Sequence, residues 1–215
     1  GDHRDLHLSI RRQRQMCIRD RYLIVDDFFN ESELKSLWEE LDILQSKAVL
    51  QPPSITAGAK GEDGNIIKKN SGIFLDDYYE NREDSSILNM YDKYICEEVY
   101  EKFPTMSPEF KYAFYVNFDR TLLNYYENND HYKPHTDAAI LTCLYWCYKE
   151  PKAFEGGDLT LHQIGEVISI KNNRLVIFPS HNVHSVSPIS MEEVGQGKGR
   201  YCISKFLFVY PSVGK

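Results

Sequence analysis

The chain has 215 residues and 42% of them are hydrophobic, enough for one domain with a sizeable core. A net charge of −7 argues against a general nucleic-acid binder, which needs a basic footprint, and no apolar run approaches the roughly 20 residues that span a bilayer. Five cysteines, an odd count with no Cys-x-x-Cys, fit reduced thiols in a cytoplasmic protein rather than a disulfide framework.

Residues 1–21, with the basic run Arg11-Arg-Gln-Arg-Gln-Met-Cys-Ile-Arg-Asp-Arg21, do not share the patterning of the rest. A basic arm or an Arg-rich transit peptide would have this composition. The string also resembles a translated sequencing adapter. On that reading residues 1–21 are non-native or disordered and loosely packed, and a single domain occupies 22–215.

Residues 22–29 read as a strand. Asn30 is a good helix N-cap, Glu33 stands where a capping-box acid belongs, and Leu34, Leu37, Trp38, Leu41 and Leu44 follow helical spacing. Residues 51–65, rich in Pro, Gly and Ser, read as a loop, and 66–75 as a strand. Asp84 or Ser85 caps an expected second helix with Ile87, Leu88, Tyr91, Tyr94, Ile95 and Val99 on its buried stripe, ended by Pro104 and Pro108.

From residue 111 onward the chain is strand-like: 111–118, 121–127, 138–147, 158–162, 166–170, 174–179, 183–189 and 200–210. Cys143 and Cys147 share one face of such a strand and read as core, and Gly156-Gly157 reads as a tight turn. No internal repeat or low-complexity segment is present. Helices first and many short strands after predict a mainly β fold with flanking helices, α+β in class, around a β-sandwich or jelly roll spanning about 111–210.

One stretch carries chemistry. In His131-Tyr-Lys-Pro-His-Thr-Asp137, His135 and Asp137 stand two apart, so on an extended strand both side chains point the same way. They make two-thirds of the two-His-one-carboxylate set that holds non-haem Fe(II) and leaves coordination positions open. A lone His-x-Asp also occurs in surface turns. The third ligand would be a distant His, and 174–184 offers His181 and His184.

Further signals follow in a fixed order: Tyr126, the His135-Thr-Asp137 motif, Leu141-Thr-Cys-Leu-Tyr-Trp-Cys-Tyr148, Phe154-Glu-Gly-Gly-Asp-Leu159, Arg174-Leu-Val-Ile-Phe-Pro179, His184-Ser-Val-Ser-Pro-Ile189 and Gly199-Arg-Tyr-Cys-Ile-Ser-Lys-Phe206. This order resembles the Fe(II)- and 2-oxoglutarate-dependent dioxygenases, in particular their prolyl 4-hydroxylase-like branch, closely over about 120–210 and in outline over 22–119.

The resemblance implies a double-stranded β-helix (jelly-roll) core and an oxygenase using Fe(II), 2-oxoglutarate and O₂, with ascorbate as an optional addition. It implies His135, Asp137 and His184 as iron ligands; His184 is preferred to His181 because the family's distal His directly precedes a Ser/Arg-Val-x-Pro run, as here. Arg200 matches the residue that binds the far carboxylate of 2-oxoglutarate, a task suited to a planar two-pronged cation. Ser204, on the same strand face, would add a hydroxyl, and Tyr126 matches a Tyr near the cosubstrate. Trp146 departs from the Tyr of many relatives and offers only an N–H. The segment between His184 and Arg200 is longer than usual and is expected to be an exposed hairpin loop.

Asp137 itself implies hydroxylation rather than halogenation, since related halogenases replace the carboxylate with a small residue. The implied substrate is a prolyl residue in a peptide or protein, or a small amino-acid-like molecule, with neither nucleic acid nor membrane as partner. Residues 51–80 and 101–110 are expected to rim the pocket. The rival of another class is a non-catalytic cupin-like jelly-roll module that holds a metal or a sugar, which would not require Arg200 in register. A nucleic-acid demethylase of the same superfamily would carry a second Arg after Arg200, whereas here the chain runs Ile203-Ser-Lys-Phe-Leu-Phe-Val.

Overall fold

The structure, a computed structural model, describes residues 16–19, 21–56, 58–90, 93 and 97–210. Residues 1–15 and three members of the expected second-helix stripe, Tyr91, Tyr94 and Ile95, lie outside the described residues.

In chain order the strands are β1 Met16–Arg19, β2 Tyr22–Asp26, β3 Lys68–Lys69, β4 Ser71–Phe74, β5 Phe118–Tyr126, β6 His131–His135, β7 Leu141–Cys147, β8 Glu155–Gly156, β9 Leu159–Leu161, β10 Glu166–Ile168, β11 Arg174–Pro179, β12 His184–Val186, β13 Ile189–Ser190 and β14 Arg200–Phe208. The long helix α1, Glu31–Ser46, follows β2. Its cap is the expected box: Asn30 Oδ1 accepts from Glu33 N at 3.0 Å, and Glu33 Oε2 accepts from Asn30 N at 2.7 Å. No helix among the described residues is long and apolar enough to cross a membrane.

Two antiparallel sheets form a jelly roll. The larger runs β1-β2-β11-β7-β14-β5-β4 and the smaller β10-β9-β12-β6-β3, with β13-β8 as a separate pair. One face of the larger sheet buries Leu123, Tyr125, Cys143, Tyr145, Cys147, Leu175, Ile177, Tyr201, Ile203 and Leu207 against α1 and the short helical turns. The opposite face presents Tyr126, Leu144, Trp146, Val176, Phe178 and Cys202 to Leu159, Leu161 and Val186 of the smaller sheet. A sheet covered on both faces needs apolar residues at nearly every position, which is why β7 is buried along its whole length.

The structure departs from the sequence reading in four places. Residues 108–115 form a 3₁₀ helix instead of a strand, because Phe110 and Ala113, three apart, are its buried positions and Pro108 starts it. The expected strand 66–75 breaks at Asn70 into β3 and β4, which join different sheets. Among the described residues the second helix is present as Ser86–Asn89, followed by a turn at Met90, and as Glu97–Tyr100, with Ser85 rather than Asp84 capping the first. Residues 16–19, read as standing outside the fold, pair with β2 at the sheet edge; backbone pairing to an open edge needs no side-chain pattern.

Asn173, at φ +57°, ties the entrance of α1 to the sheet. Its Oδ1 accepts from Phe29 N at 2.8 Å and from Tyr145 Oη at 3.1 Å, while Nδ2 donates to Phe29 O at 2.8 Å. Asn173→Ala removes these bonds and puts alanine in a left-handed conformation. It is expected to lower unfolding stability by about 2–4 kcal/mol, read as a lower urea midpoint with an unchanged slope.

Candidate metal centre

His135 is the last residue of β6 and His184 the first of β12, and the ladder between the two strands sets them directly opposite each other. Their ring centroids are 4.2 Å apart. Asp137 lies beyond the end of β6, so strand alternation alone does not aim it. Its backbone N donates to Ser180 O at 3.0 Å, and its Oδ2 accepts from Thr142 Oγ1 at 2.7 Å. Thr142 in turn shares a 2.8 Å bond with Ser180 Oγ. One ligand atom from each of His135, Asp137 and His184 lies within 4.8 Å of the others, a grouping that suits a metal ion.

The imidazoles are oriented for that purpose. His135 Nδ1 lies 2.8 Å from Lys133 O and His184 Nδ1 lies 2.9 Å from Asn182 O. A carbonyl accepts only, so each Nδ1 carries hydrogen and Nε2 is the ring nitrogen left to face a metal. The Nε2 atoms stand 3.7 and 3.4 Å from the Asp137 oxygens. Tyr132 stacks on His135 at 3.4 Å between centroids, and Phe178 packs edge-on against His184 at 4.8 Å. Burial, with His184 next to it, pulls the His135 pKa down to about 4, so the ring is neutral at pH 7. Burial opposes ionisation of Asp137, but the two imidazoles and the Thr142 hydroxyl outweigh it and hold its pKa below the ordinary value. The donor set, two imidazoles and a carboxylate, fits Fe(II).

His181, the other candidate, points elsewhere. Its side chain is 63% exposed and its nearest acid is Glu109 at 3.9 Å.

The triad faces a cavity of about 320 Å³ between the sheets. The even-numbered residues of β5 and β14 form its wall, among them Asn124, Tyr126, Arg200, Cys202, Ser204 and Phe206. Arg200 is fully buried, and none of its three nitrogens has a hydrogen-bond partner among the described residues. It lies over the rings of Tyr126 and Trp146, 4.9 and 5.4 Å from their centroids. Trp146 Nε1 is also buried without a partner among the described residues. Burial pushes the Tyr126 phenol well above its ordinary pKa, so it remains a neutral donor. Ser204 Oγ accepts from Asn124 Nδ2 at 3.1 Å. Gly157, at φ +79°, is more than a turn residue: a Cβ there would meet Arg200 Cδ at 2.8 Å.

Sequence reasoning did not single out Asn124 or Thr142 as members of the site and covered Lys68 only within the segment 51–80, because each takes its place through strands distant in sequence. Of the aromatic mouth of Phe74, Phe118, Phe208 and Tyr210, the last three were equally hidden. Of the two segments expected to rim the cavity, 51–80 supplies Thr56, Lys68 and Phe74, and 101–110 supplies none of the described lining residues. Phe103, Met106 and Phe110 are buried on the helix side of the sheet instead.

Residues 121–208 match the family model of the 2OG-Fe(II) oxygenase superfamily. No curated protein matches the chain in sequence. Among solved structures it is similar to a Trichoplax adhaerens prolyl hydroxylase in complex with a hypoxia-inducible-factor oxygen-degradation-domain peptide, at 16% identity and TM-score 0.61, over 88% of this chain and 84% of that one. A Pseudomonas putida prolyl-4-hydroxylase matches at 14% identity and TM-score 0.61, over 89% and 94%. An oxidoreductase of the 2OG-Fe(II) oxygenase family from Burkholderia pseudomallei matches at 14% identity and TM-score 0.55, over 88% and 85%. At these identities the structural likeness is one of fold.

Thr142→Val keeps the shape of the side chain and removes the hydroxyl that orients Asp137. Divalent-metal affinity, measured by competition with a chromophoric chelator, is expected to fall about 10–100-fold with the circular dichroism spectrum unchanged. His181→Ala is expected to leave the affinity at the wild-type value.

Proposed function

We propose that the chain is a 2-oxoglutarate-dependent oxygenase of the 2OG-Fe(II) oxygenase superfamily, whose model matches residues 121–208, and that it hydroxylates an unactivated C–H of a prolyl residue or of a small amino-acid-like molecule. His135 and His184 through Nε2, and Asp137 through its carboxylate, are the residues that would hold Fe(II). The bound metal and 2-oxoglutarate supply the oxidising chemistry: O₂ is consumed, succinate and CO₂ are released, and one oxygen atom enters the substrate.

The single observation that carries this reading is Arg200. A buried guanidinium without an acceptor is unfavourable unless an anion completes it. The far carboxylate of 2-oxoglutarate matches its planar fork. Tyr126 and Ser204 line the same cavity and offer hydroxyls as further donors, and the Trp146 ring lies against Arg200. A jelly roll that merely stored a metal would have no use for this group. The aromatic mouth keeps the cavity dry and suits an apolar C–H-bearing ring or chain. Substrates of the prolyl hydroxylase type are supported by the fold relatives, of which the Trichoplax adhaerens enzyme is in complex with a peptide.

The test is an anaerobic titration of 2-oxoglutarate into the Fe(II)-loaded protein, following the metal-to-ligand charge-transfer band. Arg200→Ala is expected to weaken 2-oxoglutarate binding by roughly one to three orders of magnitude while Fe(II) binding stays near wild type. Arg200→Lys should recover part of the loss, since a point charge remains without the fork. An unchanged curve for Arg200→Ala would overturn the reading. Succinate release against proline-containing peptides and free amino acids then ranks the substrates.

A further inference from the structure

Lys68 lines the same cavity and has no task in the reading above. It sits on β3, opposite Tyr132 of β6, with its ammonium 5.2 Å from the Tyr132 ring centroid. Only 7% of the residue is exposed. Nζ donates to Asn124 Oδ1 at 2.7 Å, and that oxygen also accepts from Asn70 Nδ2 at 2.9 Å. The partner is thus a neutral amide, and no acid pairs with Lys68 among the described residues. The contrast is Lys205, the other buried lysine, which pairs with Asp119 at 3.0 Å. Burial pulls the Lys68 pKa down to about 8, against the fields of Cys202 and Asp137, so the group is still mostly cationic at pH 7.

The charge of the assembled site identifies what is missing. The Fe(II) dication and the Arg200 cation are cancelled by the 2-oxoglutarate dianion and Asp137, with His135 neutral. Arg120, at the rim, has its own acid in Asp77 at 2.6 Å. Among the described lining residues the Lys68 charge alone is left without a counter-ion, in a place where an unpaired ammonium is unfavourable. Three polar groups, Lys68, Asn70 and Asn124, converge there on one side of the triad.

We propose that Lys68 binds a carboxylate carried by the substrate, so that the enzyme acts on a free carboxylic acid of the amino-acid kind rather than on a residue inside a peptide. This rests on the oxygenase reading and narrows its substrate class. The same ammonium could otherwise serve the iron-side carboxylate of 2-oxoglutarate, and the experiment separates the two sources.

The variant is Lys68→Met, of similar length and without charge, with Lys68→Gln as a second neutral form should the first fold poorly. In the anaerobic 2-oxoglutarate titration, Lys68→Met is expected to stay close to wild type. A loss of about tenfold or more would assign Lys68 to the cosubstrate and overturn the proposal. If wild type itself gives no charge-transfer band, the oxygenase reading fails, and this inference falls with it.

In the second arm, wild type saturated with Fe(II) and 2-oxoglutarate without O₂ is titrated with propionate, L-proline and L-prolinamide, following heat and the charge-transfer band. The two acids are expected to bind, L-prolinamide roughly tenfold or more weaker than L-proline, and the difference to vanish in Lys68→Met. Equal binding of acid and amide, or no binding of either acid, overturns the proposal. A peptide with a C-terminal proline, free or amidated, shows whether a chain end is accepted as well as a free amino acid; it distinguishes sources of the carboxylate within the proposal. In the third arm, metal-free Lys68→Met is expected to melt at or above the wild-type temperature, since it no longer buries an unpaired charge. A clear drop would mark Lys68 as structural and overturn its assignment to substrate.

Discussion

The alternation of side chains along β5, β14 and β7 is the constraint on which fold and site both depend. β14 is the middle of the three, paired with β5 from Arg200↔Tyr126 to Phe208↔Phe118 and with β7 from Tyr201↔Cys147 to Leu207↔Leu141. With this register, Tyr201, Ile203 and Leu207 go to the helix-side core, and Arg200, Cys202 and Ser204 go to the cavity. A slip by one residue would exchange the faces. It would drive Arg200 into an aliphatic layer and leave Ile203 facing the metal ligands. The two-sided pairing of β14 therefore holds the apolar core and the reactive cavity in place through the same set of backbone hydrogen bonds.

Given that register, the cavity holds charge the apolar core could not accommodate. Arg200 is shielded by the faces of Tyr126 and Trp146, which attract a cation but accept no conventional hydrogen bond from all of its nitrogens. Gly157 supplies the space its stem passes through. Lys68 has an amide oxygen where an acid would satisfy it better. Both groups place unfavourable terms in the unliganded fold; the anions proposed for them would relieve these terms and so link ligand binding to folding stability. The triad shows the opposite economy of design: each imidazole is oriented by a backbone carbonyl two residues before it, and Asp137 by Thr142 and Ser180, so these side chains are held before any ion arrives.

Much of this was legible in the chain itself. The Asn30–Glu33 box and the leucine spacing of α1 are local signals, and the structure reproduces them residue for residue. The apolar runs of β7, β11 and β14 announced strands. His135, Asp137 and His184 were named as a set, and the fold brings them within 4.8 Å of one another. The cap, the helix spacing and the strand runs share a physical basis: side-chain periodicity, capping and short-range spacing depend on neighbours a few residues away, whereas His184 was singled out only through the family resemblance.

What only the tertiary structure decided is which distant segments meet. Residues 108–115 have the aromatic content of a strand, yet Phe110 and Ala113 face one apolar layer at a spacing of three and make a 3₁₀ turn. The segment 66–75 reads as one strand, but its two halves pair with β6 and β5 in different sheets, and that division carries Lys68 into the cavity. Asp137 is aimed by Thr142 and Ser180, five and 43 residues further along the chain. Strand neighbours and register are set by burial of whole faces against one another, a property of the assembled sheets that no local stretch of sequence encodes.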